Sequence, residues 1–262
     1  MHDDATWPTD ARRDRLIGNW HLYQRTGGHR TSTDDLITAW YAAHRQRERP
    51  DRYLDLGCGV GSVLLMLSHK LRPRVAHGIE AQLQSVLMAR RAIDELPQPD
   101  STFEIWHADF RDEGLGDGAY DLVTGSPPYF PLGTGVLPED AQRRACRFEE
   151  RGGVESYLAA AARAMTQAAR CYLVFQTRFE ERVIAAAASE DLWRTGQADF
   201  VMKAGDEAPF LSVFEFSRSA AGDPHRFRAA VRDDHGELSA AYRRIREELG
   251  VDDAPTTSPT HP

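Results

Sequence analysis

One stretch, residues 54–61 (Leu-Asp-Leu-Gly-Cys-Gly-Val-Gly), constrains the fold of this chain more than any other. It follows an apolar strand-like run and leads into a helix-like run over residues 62–70. Glycines between a strand and a helix permit a tight turn and let a bulky ligand approach the backbone. A dinucleotide fingerprint requires Gly or Ala where Ser62 stands, which weakens a nicotinamide oxidoreductase as an interpretation. The stretch therefore predicts a cofactor loop at the carboxyl end of a strand.

Strand-like and helix-like patterns alternate through the middle of the chain. We predict strands over residues 53–56, 75–79, 103–107, 120–124 and 172–176, followed by a closing strand pair at 200–203 and 211–216. The predicted helices cover residues 62–70, 82–96, 154–169 and 179–188, and a long loop covers 126–153. This alternation is typical of an α/β fold built from βαβ units around a mostly parallel sheet.

The two ends of the chain differ from this middle part. Residues 1–50 predict a hairpin, over 16–30, and a helix that pack on the main domain at 51–218. Residues 219–250 predict a C-terminal extension with a helix over 238–249, and the composition of 251–262 predicts a disordered tail.

Two acidic residues follow the later strands of the series. Glu80 ends the second strand, about 20 residues past the glycine loop, where an acid binds ribose hydroxyls in dinucleotide folds. Asp109, next to Ala108, closes the third strand. Two interpretations stay open for Asp109, contact with a cofactor or an N-cap of the following turn.

The run Ser126-Pro127-Pro128-Tyr129 follows the strand at 120–124. Two prolines fix φ at successive residues and restrict the residue before them, so the turn is rigid. An exocyclic amine on a base is a poor nucleophile because its lone pair is conjugated into the ring. Hydrogen bonds accepted by the Ser126 oxygen and the Pro127 carbonyl would free that pair, while Tyr129 stacks on the base. Together with the glycine loop, the turn predicts methyl transfer to a planar nitrogen.

These motifs resemble those of known enzymes. The loop with Asp55 ahead of its glycines resembles the S-adenosylmethionine loop of class I methyltransferases, and the turn resembles the [Asn/Asp/Ser]-Pro-Pro-[Tyr/Phe/Trp] signature of amino-methyltransferases. Segments 28–35, 143–147 and 233–242 are similar, in the same order, to segments of the valine tRNA adenine-N6 methyltransferase family. The resemblance implies a Rossmann-like fold with a seven-stranded, mostly parallel sheet, helices on both faces and an antiparallel last strand.

The resemblance also implies a cofactor, a substrate and the residues that bind them. The cofactor is S-adenosyl-L-methionine and the partner a nucleic acid, most simply tRNA methylated at adenine N6. Implied cofactor contacts are Asp55, Gly57, Cys58, Gly59, Gly61, Glu80, Ala108, Asp109 and Ser126. Implied substrate contacts are Arg30, Tyr129, Phe130, Arg144 and Arg147, and the catalytic turn is Ser126, Pro127, Pro128 and Tyr129.

One residue departs from that family, which normally has Asn where this chain has Ser126. Serine at this position is more familiar in cytosine-N4 DNA enzymes, so the target base stays open between adenine N6, cytosine N4 and a smaller substrate. Protein glutamine N5 methylation uses a similar turn, but about 50 residues before the first strand are few for a separate substrate domain. A cofactor-binding scaffold without turnover is the non-enzymatic alternative.

Composition indicates which partners, metal sites and cellular locations to expect. The net charge of −8 gives no general attraction to nucleic acid. Arginines of the loop at 126–153 could contact phosphates, but the loop also carries acidic residues, and a salt-bridged surface is the expected role of most of these arginines. The three cysteines lie far apart and in no metal-binding spacing, which predicts reduced thiols and no metal site. No apolar run is long enough to span a membrane and the N-terminus is polar and acidic, so we expect a cytoplasmic protein.

Overall fold

The computed structural model describes residues 7–112, 116–133, 137–220 and 222–251. The described strands are β1 (Ala11–Ile17), β2 (Trp20–Arg25), β3 (Arg52–Leu56), β4 (Val75–Glu80), β5 (Thr102–His107), β6 (Tyr120–Gly125), β7 (Met165–Gln176), β8 (Trp193–Lys203), β9 (Leu211–Ser217) and β10 (His225–Arg232). The helices are α1 (Thr33–Arg45), α2 (Ser62–Leu71), α3 (Leu83–Asp94), α4 (Ala141–Arg147), α5 (Val154–Ala164), α6 (Glu180–Ser189) and α7 (Ala240–Leu249).

The large sheet has the order β10-β8-β9-β7-β6-β3-β4-β5. β9 runs antiparallel to both of its neighbours, whereas the other pairs of this sheet are parallel. The predicted mostly parallel α/β sheet with an antiparallel last strand is confirmed. β3 lies between β4 and β6, so the loops that follow these three strands open at one edge of the sheet.

Helices cover both faces of the sheet, as predicted. Successive residues of β3 point to opposite faces, and Tyr53 and Leu54 belong to separate buried clusters. The Tyr53 cluster includes apolar residues of α1, α2, α3 and α7, and the Leu54 cluster includes those of α5 and α6. Burying a large apolar side chain in either cluster contributes about 1.5–3 kcal/mol.

The seven predicted strands are joined by an eighth, β10, which comes from the C-terminal extension. It pairs in parallel with β8 at the edge of the sheet. Its sequence, His-Arg-Phe-Arg-Ala-Ala-Val-Arg, has too few large apolar residues to show a strand pattern. The segment is a strand because its backbone pairs with β8. The predicted disordered tail, 251–262, lies outside the described residues apart from Val251.

Several predicted boundaries were wrong, among them that of the strand predicted over 200–203, which begins at Trp193. The helix predicted over 154–169 ends at Ala164, and β7 begins at Met165, where it already pairs with Tyr120 of β6. Alanines favour helix, but the ladder with β6 and β9 overrides that propensity. The loop predicted over 126–153 contains α4, whose first turn is capped by the side chain of Asp140.

The N-terminal segment packs on one face of the sheet, with α1 against β7 and β9 and the hairpin of β1 and β2 against α2 and α3. The hairpin of β1 and β2 starts earlier than predicted, at Ala11, and Arg25 joins it to α4 through an ion pair with Asp140 (2.8 Å). At the far end of α1, the Trp40 indole donates a hydrogen bond to Glu248 of α7 (2.8 Å). The first turn of α1 therefore lies beside the loops that follow β3 and β6.

Candidate active site

A cavity of about 680 Å³ opens where β3, β4 and β6 end. Both motifs that the sequence singled out line it. The lining includes these predicted site residues: Arg30, Asp55, Gly57, Cys58, Gly59, Glu80, Asp109, Ser126, Pro127, Pro128, Tyr129, Phe130 and Arg147. A volume of this size is typical of sites that enclose a small molecule.

Three predicted residues do not line the cavity. Gly61 is the N-cap of α2, and Ala108 donates its backbone N–H to the Glu80 carbonyl (3.1 Å). Arg144 forms an ion pair with Glu150 (2.9 Å). The first two residues shape the loops behind the cavity, and the third is held on the outer side of α4.

The glycine loop folds tightly because three of its residues adopt positive φ, Gly57 at +61°, Gly59 at +56° and Gly61 at +87°. A Cβ on Gly57 would overlap the Tyr157 hydroxyl, whereas a Cβ on Gly59 would meet nothing within 4 Å. Gly57 is thus required by packing inside the protein. Gly59 instead leaves its backbone open toward the cavity, as the approach of a bulky ligand requires.

Two buried acids, Asp55 and Glu80, line the part of the cavity next to the glycine loop, which we call the cofactor side. Glu80 accepts hydrogen bonds from the backbone N–H groups of Gly59 (3.0 Å) and Gln82 (2.7 Å). Asp55 accepts one from the Thr124 hydroxyl (2.6 Å). Burial raises the pKa of Asp55 to about 7 and also raises the pKa of Glu80, because it disfavours the charged carboxylates. A cationic ligand beside Asp55 would favour its charged carboxylate.

Asp109 caps a turn and also reaches the cavity. It accepts hydrogen bonds from the backbone N–H of Arg111 (3.0 Å) and from the guanidinium of the same residue (2.6 Å). Hydrogen bonds from Arg111 lower the pKa of Asp109. The structure therefore shows Asp109 as the cap of a turn. A ligand that contacts Asp109 would share its carboxylate with Arg111.

The Pro-Pro turn begins directly after β6 and is fixed on both sides. Pro127 and Pro128 are buried, and the Tyr129 hydroxyl donates a hydrogen bond to Asp34 of α1 (2.8 Å). The Tyr129 ring packs edge-on against Phe175, with ring centres 5.5 Å apart. Burial and the charge of Asp34 raise the pKa of Tyr129 well above its usual range, so it stays a neutral donor.

Several residues of the site escaped sequence reasoning, and the clearest are at the start of α1. Asp35 lines the cavity, and its carboxylate accepts the backbone N–H of Ser32 (2.9 Å). Burial, followed by the nearby charge of Asp34, raises the pKa of Asp35 to about 7. The run of hydroxyl and acidic residues at 31–35 is a helix-capping signal, and nothing in it indicates a second role. Other missed lining residues are Tyr157, Gln142, Cys146 and Gln176.

Arginines line the mouth of the cavity on the α4 side. Arg143, Arg147 and Arg151 are exposed and form no ion pair with an acidic side chain in the described parts of the chain. The guanidinium of Arg147 lies over the Phe130 ring, 5.7 Å from its centre. Arg30, on the opposite side, pairs with Asp14 (3.0 Å). The rim is therefore locally basic although the whole chain is acidic.

The described residues contain no cluster of three or more His, Cys, Asp or Glu side chains arranged to hold a metal ion. None of the described helices is long and apolar enough to cross a membrane.

Comparison with known proteins gives relatives in sequence and in structure, while no family model matches the chain. A tRNA1(Val) (adenine(37)-N6)-methyltransferase of Tolumonas auensis is 28% identical over 231 residues, which cover 88% of this chain and 93% of the relative. The protein of the same name from Aeromonas salmonicida is 27% identical over 174 residues, 66% of this chain and 70% of that one.

Solved structures share the fold at lower identity. A protein of Agrobacterium tumefaciens described as a predicted O-methyltransferase aligns with a TM-score of 0.60 at 17% identity, over 83% of this chain and 97% of that one. The ribosomal protein L11 methylase of Lactobacillus delbrueckii subsp. bulgaricus aligns with a TM-score of 0.53 at 13% identity, over 75% and 84%. The chain is a methyltransferase with the Rossmann-like class I fold, and its sequence resembles the tRNA1(Val) (adenine(37)-N6)-methyltransferases.

Proposed function

We propose that this chain transfers a methyl group from S-adenosylmethionine to the N6 amine of an adenine in tRNA. The observation that carries the proposal is that the glycine loop after β3 and the Pro-Pro-Tyr turn after β6 line one cavity. The names of the relatives in sequence support adenine N6 and tRNA as the target. Such a substrate would be met in the cytoplasm.

The residues of the cofactor side fit S-adenosylmethionine. Gly59 offers an open stretch of backbone, Asp55 a buried acid for a cationic group, and Glu80 a carboxylate suited to ribose hydroxyls. When bound there, the cofactor supplies a methyl group on positively charged sulfur, and the C–S bond breaks toward sulfur as the new N–C bond forms. Since that group is already activated, the protein needs no metal and no strong base for this step.

The chain's own residues act on the acceptor. The Pro-Pro turn holds Ser126 and the Pro127 carbonyl where they accept hydrogen bonds from an exocyclic amine, which makes its lone pair available. The Tyr129 ring, fixed by Asp34 and Phe175, provides a face on which a base taken out of its stack can rest. The proton that the amine loses passes to solvent water. Orientation and exclusion of water contribute most of the rate enhancement.

The arginines at the mouth are suited to the phosphates on either side of the target nucleotide. Arg143, Arg147 and Arg151 are exposed, and phosphate contacts of this kind position a nucleic acid without reading its sequence. Arg144, which the sequence favoured, is held by Glu150 and faces away from the cavity lining. We therefore assign phosphate contact to Arg143 and Arg147 before Arg144.

The proposal is tested by supplying labelled S-adenosylmethionine to the purified chain with three acceptor pools, tRNA lacking modifications, DNA and total protein. We expect label in tRNA alone. Label only in protein would favour glutamine N5 methylation, and label only in DNA would favour a DNA base. Cofactor binding without label in any pool would indicate the scaffold.

A further inference from the structure

The acceptor side of the cavity contains a buried polar atom that nothing within the protein satisfies. Gln176 is the last residue of β7, and its side-chain oxygen, Oε1, is buried but accepts no hydrogen bond from the described residues. The same side chain lines the cavity together with Ser126 and Tyr129. Unsatisfied buried carbonyl oxygens are rare in native proteins unless a ligand or water supplies the donor.

The position of Gln176 ties it to the Pro-Pro turn. β7 is the sheet neighbour of β6, and Leu173 pairs with Gly125, the residue before the turn. Three residues beyond that pair, Gln176 lies on the strand that flanks the turn. Since the Gln176 side chain also lines the cavity, it belongs to the part of the cavity where we propose that the base is held.

Two other side chains that line the cavity carry an unsatisfied oxygen, but neither offers a carbonyl acceptor beside the Pro-Pro turn. Gln142 Oε1 belongs to α4, and its amide nitrogen donates to Ser85 of α3 (2.9 Å), which holds it toward the side of Glu80 and Gln82. Thr31 Oγ1 is a hydroxyl oxygen, which also carries a proton. Of the three, only Gln176 offers a carbonyl acceptor from the strand beside the turn.

We propose that Gln176, in place of Ser126, is the catalytic residue that accepts a hydrogen bond from one N–H of the target amine, an inference that otherwise rests on the proposed function. Serine at position 126 has a short side chain whose hydroxyl must turn its own proton away before it accepts, whereas an amide carbonyl accepts directly. With the Pro127 carbonyl on the second N–H, the amine is held pyramidal. Its lone pair forms the N–C bond, the C–S bond electrons go to sulfur, one amine proton leaves to water, and Gln176 takes no proton.

The first test replaces Gln176 with Leu or Met, which are similar in volume and have no acceptor. We expect kcat for methyl transfer to tRNA to fall by about tenfold to hundredfold, since one hydrogen bond to the reacting group is lost. The Kd for S-adenosylmethionine and the thermal unfolding midpoint should remain close to those of the wild type. Gln176→Glu keeps an acceptor oxygen and should retain most of kcat at pH 8.

The second test restores an acceptor from the turn itself. Ser126→Asn in the Gln176→Leu background brings a carboxamide to position 126, and we expect it to recover most of the lost kcat. The matched control is Gln142→Leu, which removes an equally buried and unsatisfied amide oxygen from the other side of the cavity and should not be rescued by Ser126→Asn.

The outcomes separate this inference from the proposed function. If the wild type methylates adenine and both apolar variants keep its kcat within about twofold, Gln176 accepts no catalytic hydrogen bond and the inference is overturned. A loss that neither Gln176→Glu nor Ser126→Asn relieves would also overturn it, because the role would then be structural. If the wild type forms no methylated adenine, the proposed function fails first and the inference falls with it.

Discussion

The two sides of the cavity are held together in different ways. On the cofactor side, Glu80 and Asp55 already accept hydrogen bonds from Gly59 and Thr124, so the glycine loop is braced before any ligand binds. On the acceptor side, Tyr129 is fixed by Asp34, a residue 95 positions earlier in the chain, and the Gln176 oxygen has no donor within the described structure.

This difference indicates a division of work. A braced loop binds its cofactor with little reorganisation, which favours affinity. The unsatisfied Gln176 oxygen on the acceptor side has its full effect only when a substrate supplies a donor, which favours catalysis over tight binding of the ground state. Substitutions on the cofactor side should therefore alter cofactor affinity, and those on the acceptor side should alter turnover.

The largest expected effect separates two glycines of the same loop. Gly59→Ala places a methyl group in open space that faces the cavity, so we expect cofactor affinity to fall by about a hundredfold and stability by only ~1 kcal/mol. Gly57→Ala would overlap the Tyr157 hydroxyl, so it should lower the free energy of unfolding of the unliganded chain by ~3 kcal/mol. Titration calorimetry measures the cofactor affinity, and chemical denaturation measures the free energy of unfolding. Wild-type cofactor affinity in Gly59→Ala would contradict the proposed contact between the loop and the cofactor.

On the acceptor side, Tyr129→Ala removes the stacking face. Stacking of a base on an aromatic ring is worth ~1–3 kcal/mol, so kcat/KM for tRNA should fall by about fiftyfold with cofactor affinity unchanged. Tyr129→Phe removes only the hydrogen bond that orients the ring, whereas Asp34→Ala also removes the one that Asp34 accepts from the Ser32 hydroxyl, and each should lower kcat/KM a few fold. Because both delete the contact between Asp34 and Tyr129, the double variant should be no worse than Asp34→Ala alone. Additive losses would show that Asp34 acts on something else.

Much of the cofactor side was predictable from sequence because its signals are local. Asp55, Gly57 and Gly59 fall within five residues, and Glu80 follows at the spacing of one βαβ step. The mostly parallel sheet, helices on both faces and antiparallel last strand followed from alternation together with the family resemblance. β10 did not, because an arginine-rich edge strand has a weak apolar pattern.

The acceptor side was predictable only at the Pro-Pro turn. Asp35 resembles any helix-capping acid, and its role in the cavity depends on α1 packing beside the turn that follows β6, which no local pattern encodes. Gln176 is one polar residue at a strand end, and only its buried, unsatisfied oxygen distinguishes it. Arg143 and Arg144 are adjacent in sequence, and the helical turn of α4 alone decides which one reaches the cavity.

The pH dependence should differ in sign between stability and cofactor binding. Burial raises the pKa of Asp55 to about 7, above that of an unfolded carboxyl near ~3.9, so the folded state binds more protons between these values. Stability of the unliganded chain should therefore fall as the pH rises from about 4 to about 7. A cationic cofactor prefers the charged carboxylate, so its affinity should rise about tenfold from pH 6 to pH 8. Asp55→Asn should flatten the binding profile but only reduce the fall in stability, because burial also raises the pKa of Asp35 to about 7. An unchanged binding profile in that variant would exclude Asp55 as the group whose titration controls cofactor affinity.

The smallest expected effect concerns the rim. Arg143→Ala should weaken tRNA binding by about threefold at physiological salt and reduce the slope of log affinity against log salt by ~1, since one phosphate contact is lost. Arg144→Ala is the matched control, because its guanidinium is held by Glu150 outside the cavity lining. Fluorescence anisotropy over a salt series measures both. If both variants show the same slope of log affinity against log salt, phosphate contact cannot be assigned to Arg143 before Arg144.

The most direct test of the central claim is the identity of the methylated nucleoside. tRNA lacking modifications is incubated with the chain and S-adenosylmethionine, digested to nucleosides and analysed by mass spectrometry. We expect N6-methyladenosine as the product, formed by the wild type and lost with Tyr129→Ala. N4-methylcytidine, or no methylated nucleoside at all, would contradict adenine N6 as the target of the Pro-Pro-Tyr turn.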